Sequence, residues 1–186
     1  MKKEYFSIPN LLSYFRILML PVFLYLYFHA DTTREYVVAF ALLVISMMTD
    51  LVDGWIARKF NMITDFGKLL DPLADKLTQG FLAIAVCSRY PLMISFVIYF
   101  ACKEFYMLGM GLYIHKKTNH VIAAKMYGKI STVIIDVLVP LMLLFPNMPE
   151  TLANIFIMIM TVGMTVSLVK YINLHISLLK GKEEGI

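Results

Sequence analysis

Six apolar runs, each near the length needed to cross a lipid bilayer, fill almost the whole chain, at about 9–29, 35–58, 65–88, 91–115, 122–145 and 151–173. Backbone polar groups inside a bilayer must be satisfied within their own segment, so runs of this length predict helices. The fold class expected is all-α: a polytopic membrane protein with six transmembrane helices. Of the 186 residues 60% are hydrophobic and 16% charged, with a mean hydropathy of +0.73, which leaves too little polar surface to cover a water-soluble globule. A single membrane domain, 1–186, uses the whole length. Short breakers at Ala30 to Thr33, Asn61 to Asp65, Ser88 to Pro91, Lys116 to His120 and Pro146 to Pro149 connect the runs. Lys2 and Lys3 before an apolar run imitate a secretion signal, but no small-residue cleavage site follows, and the first run is expected to stay as a helix.

Charge orients the chain. Lys2 and Lys3, then Arg58, Lys59 and Lys68, then Lys116, Lys117, Lys125 and Lys129, then Lys170, Lys180 and Lys182 fall at alternate ends of the runs. The opposite connections hold only Arg34 and Arg89. The positive-inside rule therefore predicts that both termini and the acid-rich ends face the cytoplasm, in the cell membrane. The net charge of +4 is explained by topology and anionic headgroups, and no nucleic-acid partner is expected. Cys87 and Cys102 lie in apolar surroundings without metal-ligand or CxxC spacing, which gives no support to a disulfide framework or a zinc site.

Against this apolar background Asp50, Asp53, Asp71 and Asp75 stand out, because an unpaired ionised side chain within a membrane helix costs a few kcal/mol at least. At about 100° per residue, Asp50, Asp53, Gly54 and Ala57 share a face of the second helix, and Gly67, Asp71 and Asp75 share one of the third. The acids can meet across one interface. Converging carboxylates repel unless protons or cations compensate, and hard oxygen ligands suit Mg²⁺, Mn²⁺ or Ca²⁺. Gly54 and Ala57 clear bulk from the same face, and Arg58 offers a fork to phosphate oxygens. The set describes a pocket for a metal-bound diphosphate. Any one of these residues has a plainer explanation, since small residues mark helix packing and acids near a helix end are often solvated. Independent packing needs would not place all of them in one register.

From Asp50 to Asp75 the chain reads DLVDGWIARKFNMITDFGKLLDPLAD, which fits D-x2-D-G-x2-A-R-x8-G-x3-D-x3-D at every specified position and so resembles the CDP-alcohol phosphotransferase family. The resemblance implies a six-helix fold, commonly a homodimer, with a polar cavity open to the cytoplasm. It implies two divalent cations, Mg²⁺ or Mn²⁺, held on the CDP diphosphate by Asp50, Asp53, Asp71 and Asp75. Asp50, Gly54, Ala57, Arg58 and Gly67 would form the nucleotide and diphosphate subsite, with Gly67 permitting close packing, and Asp75 would be the general base. The implied reaction moves the phosphatidyl group of CDP-diacylglycerol to an alcohol and releases CMP.

The opening IPNLLSYFRILMLP, Ile8 to Pro21, is similar to the start of bacterial phosphatidylglycerophosphate synthases, which points to glycerol 3-phosphate as acceptor. The plainer account is a first span with Arg16 reaching toward the interface. An anionic acceptor needs a basic subsite, for which Lys103, Lys125 and Lys129 are candidates, each also readable as a snorkelling lysine. Gly128-Lys129-Ile130-Ser131-Thr132 resembles a Gly-Lys-x-Lys-Thr stretch of those synthases, with Ser131 in place of the second Lys, and Lys103-Glu104 stands where Arg-Glu is usual. Cardiolipin synthases of the same family, which use phosphatidylglycerol as acceptor, are the alternative. From another class, an ion-coupled transporter also places acids in the membrane. Thr64 or Asp65 is expected to cap the third helix, Trp55 to anchor at the interface, and Asp136 to line the cavity or pair with a lysine.

Overall fold

The computed structural model describes residues 7–60, 62, 64, 66–118, 125–145 and 147–180, the side chains of Asp50, Leu51, Arg58, Lys68 and Leu69 excepted. Among the described residues six helices follow one another: α1 (Ile8–Phe28), α2 (Thr33–Lys59), α3 (Gly67–Cys87), α4 (Leu92–Thr118), α5 (Met126–Leu144) and α6 (Glu150–Leu179). They are the six expected from the apolar runs, and no strand occurs among the described residues. Five of the helices are long and apolar enough to cross a membrane. The exception is α3, whose N-terminal half carries Lys68, Asp71, Asp75 and Lys76. Asp71 and Asp75, the acids that single out this segment chemically, also dilute its apolarity.

The chain forms two compact units, Met1–Ala85 and Val86–Ile186. In the first, α1 begins at Ser7, whose hydroxyl accepts from the Asn10 amide at 3.4 Å, with Pro9 in the opening turn where a missing N–H is harmless. A capping box starts α2: the Glu35 amide donates to Thr32 Oγ1 at 3.4 Å while Glu35 Oε2 accepts from the Thr32 amide at 3.0 Å. Leu20, Phe23 and Tyr27 of α1 and Ala39 and Leu43 of α2 are buried where these two helices pack. The edge of Tyr27 meets Tyr36 with ring centroids 5.6 Å apart. Thr64 Oγ1 accepts from the Gly67 amide at 2.9 Å and so caps α3 as expected, whereas Asp65 lies outside the described residues. Trp55 is exposed, with Lys59 Nζ 4.3 Å from its ring centroid.

In the second unit α6 packs on both α4 and α5. Tyr99 and Thr165 are joined through their hydroxyls at 3.0 Å, and Tyr106 Oη lies 3.2 Å from His175 Nδ1, so α4 and α6 run in the same direction. The Lys125 amide, at the N-cap of α5, donates to Tyr171 Oη at 3.2 Å. Gly128 makes that approach possible, since a Cβ there would stand 2.5 Å from Tyr171 Oη. These contacts explain why α6 reaches Leu179, past the end of its apolar run: Tyr171 and His175 find partners inside the unit, and the helix continues as far as packing supports it. Asp136 is exposed on α5.

Candidate active site

The site is built in the first unit, where three helices bring their polar residues together. Asp53 of α2 is buried, 4% exposed. Asp75 of α3 has half its side chain exposed, at 51%. Arg16 of α1, itself 2% exposed, bridges the two. Its Nη2 donates to Asp53 Oδ2 at 2.7 Å and its Nη1 to Asp75 Oδ1 at 2.8 Å. One guanidinium thus holds an acid from each motif helix, in the charge-assisted geometry that Arg favours. One turn earlier on α3, Asp71 Oδ1 lies 2.9 Å from Ser13 Oγ. Ser13 also sits 3.3 Å from the Pro9 carbonyl; its single proton goes to the nearer, charged acceptor.

Further toward the start of α3, Asn10 Nδ2 donates to Thr64 Oγ1 at 3.2 Å. A Cβ on Gly67 would stand 2.7 Å from Asn10 Oδ1 and 3.0 Å from Thr64 Oγ1, so α1 approaches α3 as closely as it does only because residue 67 has no side chain. The packing role expected of Gly67 is what the structure gives it. Gly54 and Ala57 are half-buried on α2. Asp50 and Arg58 lie on the helical backbone of α2, but their side chains are outside the described residues.

Among the described residues no three acids, histidines or cysteines form a ready metal cage. The donor set nevertheless fits a divalent cation. Asp53, Asp71 and Asp75 supply hard carboxylate oxygens, the donor type that Mg²⁺ and Mn²⁺ take.

A match to the family model for CDP-alcohol phosphatidyltransferase covers residues 6–169, from the start of α1 into α6. The chain belongs to the CDP-alcohol phosphatidyltransferase family. It is therefore an enzyme of phosphatidyl transfer, built in an all-helical membrane fold. Over 139 residues, 68% of this chain and 71% of the relative, it is 35% identical to the CDP-diacylglycerol–glycerol-3-phosphate 3-phosphatidyltransferase of Bacillus subtilis. A protein of the same name from Rickettsia typhi is 39% identical over 83 residues, 45% of this chain, and the match spans 46%, about half, of that relative's length. A Schizosaccharomyces pombe cardiolipin synthase (CMP-forming) / mitochondrial hydrolase fusion protein is 40% identical over 89 residues, 48% of this chain and 14% of that protein.

In this phosphatidyltransferase the motif acids of α2 and α3 are organised from α1, which the motif does not include. Arg16 does not reach toward the membrane interface as its position in an apolar run suggested; it is buried and clamps two acids. The signal was available, since an arginine inside an apolar helix needs a partner as much as an aspartate does. Asn10, Ser13 and Arg16 are spaced by three residues and lie along one side of α1, a polar stripe on an otherwise apolar helix.

The lysines weighed for the acceptor lie in the second unit. Lys103 on α4 is buried, 7% exposed, and its Nζ sits 2.8 Å from Glu104 Oε1. Lys125 is half-buried at the N-cap of α5, and Lys129, one turn on, is exposed. Among the described residues no hydrogen bond or ion pair joins the three. Ser131, in the place of the second lysine, is buried and donates to the Gly128 carbonyl at 3.0 Å.

Proposed function

We propose that this enzyme transfers the phosphatidyl group of CDP-diacylglycerol to glycerol 3-phosphate and releases CMP. The observation that carries the chemistry is the meeting of Asp53, Asp71 and Asp75 around Arg16 and Ser13. The names carried by the Bacillus and Rickettsia relatives support glycerol 3-phosphate as the acceptor.

Asp50, Asp53, Asp71 and Asp75 would hold divalent cations, Mg²⁺ or Mn²⁺ and two per site by family resemblance. When bound, such ions neutralise the diphosphate and stabilise charge on the leaving CMP oxygen. Gly54 and Ala57 leave room for the nucleotide, Gly67 lets α1 close on α3 beside it, and Arg58 takes a phosphate. Asp75, with an exposed carboxylate, takes the proton of the acceptor hydroxyl as that oxygen attacks the β-phosphorus. The bond from phosphorus to the acceptor oxygen forms as the bond to CMP breaks, in one displacement without a covalent enzyme intermediate. Arg16 holds Asp75 in place through a charge-assisted bond at 2.8 Å.

The lysine and arginine bias places both termini and the acid-bearing ends of α2 and α3 on the cytoplasmic side of the cell membrane. The whole chain acts as one membrane domain, and family resemblance favours a homodimer. The ion-coupled transporter is set aside by the family match.

The test is an acceptor panel with CDP-diacylglycerol fixed: glycerol 3-phosphate, phosphatidylglycerol, serine and inositol phosphate, with products identified by mass spectrometry. Phosphatidylglycerophosphate as the main product is expected. Cardiolipin instead would assign the enzyme to the alternative branch named by the Schizosaccharomyces relative.

A further inference from the structure

We propose that α1 is the helix that aims the catalytic acids, with Ser13 and Arg16 as positioning residues for Asp71 and Asp75. The contacts form a ladder. Asn10 meets Thr64, Ser13 meets Asp71 and Arg16 meets Asp75, so the pairs advance together along two helices running in the same direction. Gly67 sets how closely the rails approach.

The burial of the rungs separates this arrangement from ordinary helix packing. Both ends of the Arg16–Asp53 pair are sealed, with side chains 2% and 5% exposed, as expected of an ion pair that ties α1 to α2. Between α1 and α3 the donors on α1 are sealed but the acceptors on α3 are not. Ser13 is 0% exposed and Arg16 2%, whereas Asp71 is half-buried and the Asp75 side chain is 51% exposed. Each α3 carboxylate is held at Oδ1 by a sealed donor of α1 while its own side chain stays partly accessible.

A carboxylate turns easily about its terminal bond, and each turn away from the working orientation weakens cation binding and proton transfer. Fixing Oδ1 of Asp71 and Oδ1 of Asp75 removes that freedom before substrate arrives, which is how preorganised polar groups accelerate a reaction. Arg16 has a second reason to be an arginine: its two terminal nitrogens reach Asp53 and Asp75 at once, which a lysine's single ammonium does less well.

The inference rests on the reading of Asp71 as a cation ligand and Asp75 as the base, and the experiment separates the two. Detergent-purified full-length Ser13→Ala, Arg16→Lys and Asp71→Asn are compared with wild type by Mn²⁺ binding followed by electron paramagnetic resonance, by kcat and KM for CDP-diacylglycerol, and by thermal unfolding. Ser13→Ala is expected to weaken Mn²⁺ binding about fivefold, the worth of one hydrogen bond, at unchanged Tm. Arg16→Lys is expected to lower kcat about tenfold or more with KM for CDP-diacylglycerol unchanged, consistent with a lost charge-assisted bond. If Asp71→Asn binds Mn²⁺ like wild type, the ligand reading of Asp71 fails. If Asp71→Asn loses Mn²⁺ while Ser13→Ala keeps wild-type affinity and Arg16→Lys keeps wild-type kcat, the positioning role fails alone. A fall in turnover that only tracks a fall in Tm overturns it as well.

Discussion

Arg16 and Asp53 form an ion pair, Nη2 to Oδ2 at 2.7 Å, with both side chains almost wholly removed from solvent. A charge sealed in this way is stable only with its counter-charge, so the two residues stand or fall together. Replacing Arg16 by Met removes the counter-charge of a sealed carboxylate and is expected to destabilise the fold by about 3–5 kcal/mol. The double variant Arg16→Met with Asp53→Asn should recover much of that loss, because the buried negative charge goes with its counter-charge. Unfolding of the detergent-solubilised single and double variants closes the cycle; an additive double variant would show that the pair is not coupled.

Asp75 is coupled to the same arginine but half-exposed, which suits a group that must meet a substrate. Asp75→Asn keeps the shape of the side chain and removes the base. Turnover should fall by about a hundredfold or more, with CDP-diacylglycerol binding largely retained. Near-normal turnover in this variant would remove Asp75 from the role of base.

Divalent cations are expected to be required for transfer and dispensable for the fold. Treatment with EDTA should abolish turnover, and added Mg²⁺ or Mn²⁺ should restore it. Helical circular dichroism should stay unchanged throughout, because α1 and α2 are joined by buried Leu20, Phe23 and Leu43 and by the Arg16 pair. Full activity in EDTA would contradict the cation-dependent mechanism.

Two glycines are predicted to be intolerant for separate reasons. Gly67→Ala drives a methyl group to 2.7 Å from the Asn10 amide oxygen, and Asn10 is buried and bonded to Thr64, with little room to yield. Gly128→Ala meets the buried Tyr171 hydroxyl at 2.5 Å, which is itself bonded to the Lys125 amide. Each should cost about 1–3 kcal/mol as overpacking. Only Gly67→Ala disturbs the acids, so at equal loss of Tm it should reduce kcat more than Gly128→Ala.

The helices were legible from apolar run length, because a backbone in lipid has few choices beyond bonding to itself. Their ends followed less closely where packing overrode composition. The polar partners of Tyr171 and His175 carry α6 to Leu179, and hydropathy cannot register a partner on another helix. The Thr64 cap was readable because a cap is local in sequence.

The chemical class was legible through the family resemblance carried by Asp50 to Asp75, where acids three apart on α2 and four apart on α3 stand in a fixed register. What remained hidden was the contribution of α1. A lone arginine in an apolar run signals that a partner is needed, but not that the partners are Asp53 and Asp75 on two other helices.

The sequence by itself determined six helices, a bilayer environment and a set of acids suited to cations and phosphate, all of which depend on local period and composition. Only the tertiary structure decided that Arg16 and Ser13 stand behind those acids. Asp53 and Asp75 lie 37 and 59 residues from Arg16 along the chain, and contacts at such separations are set by how helices pack.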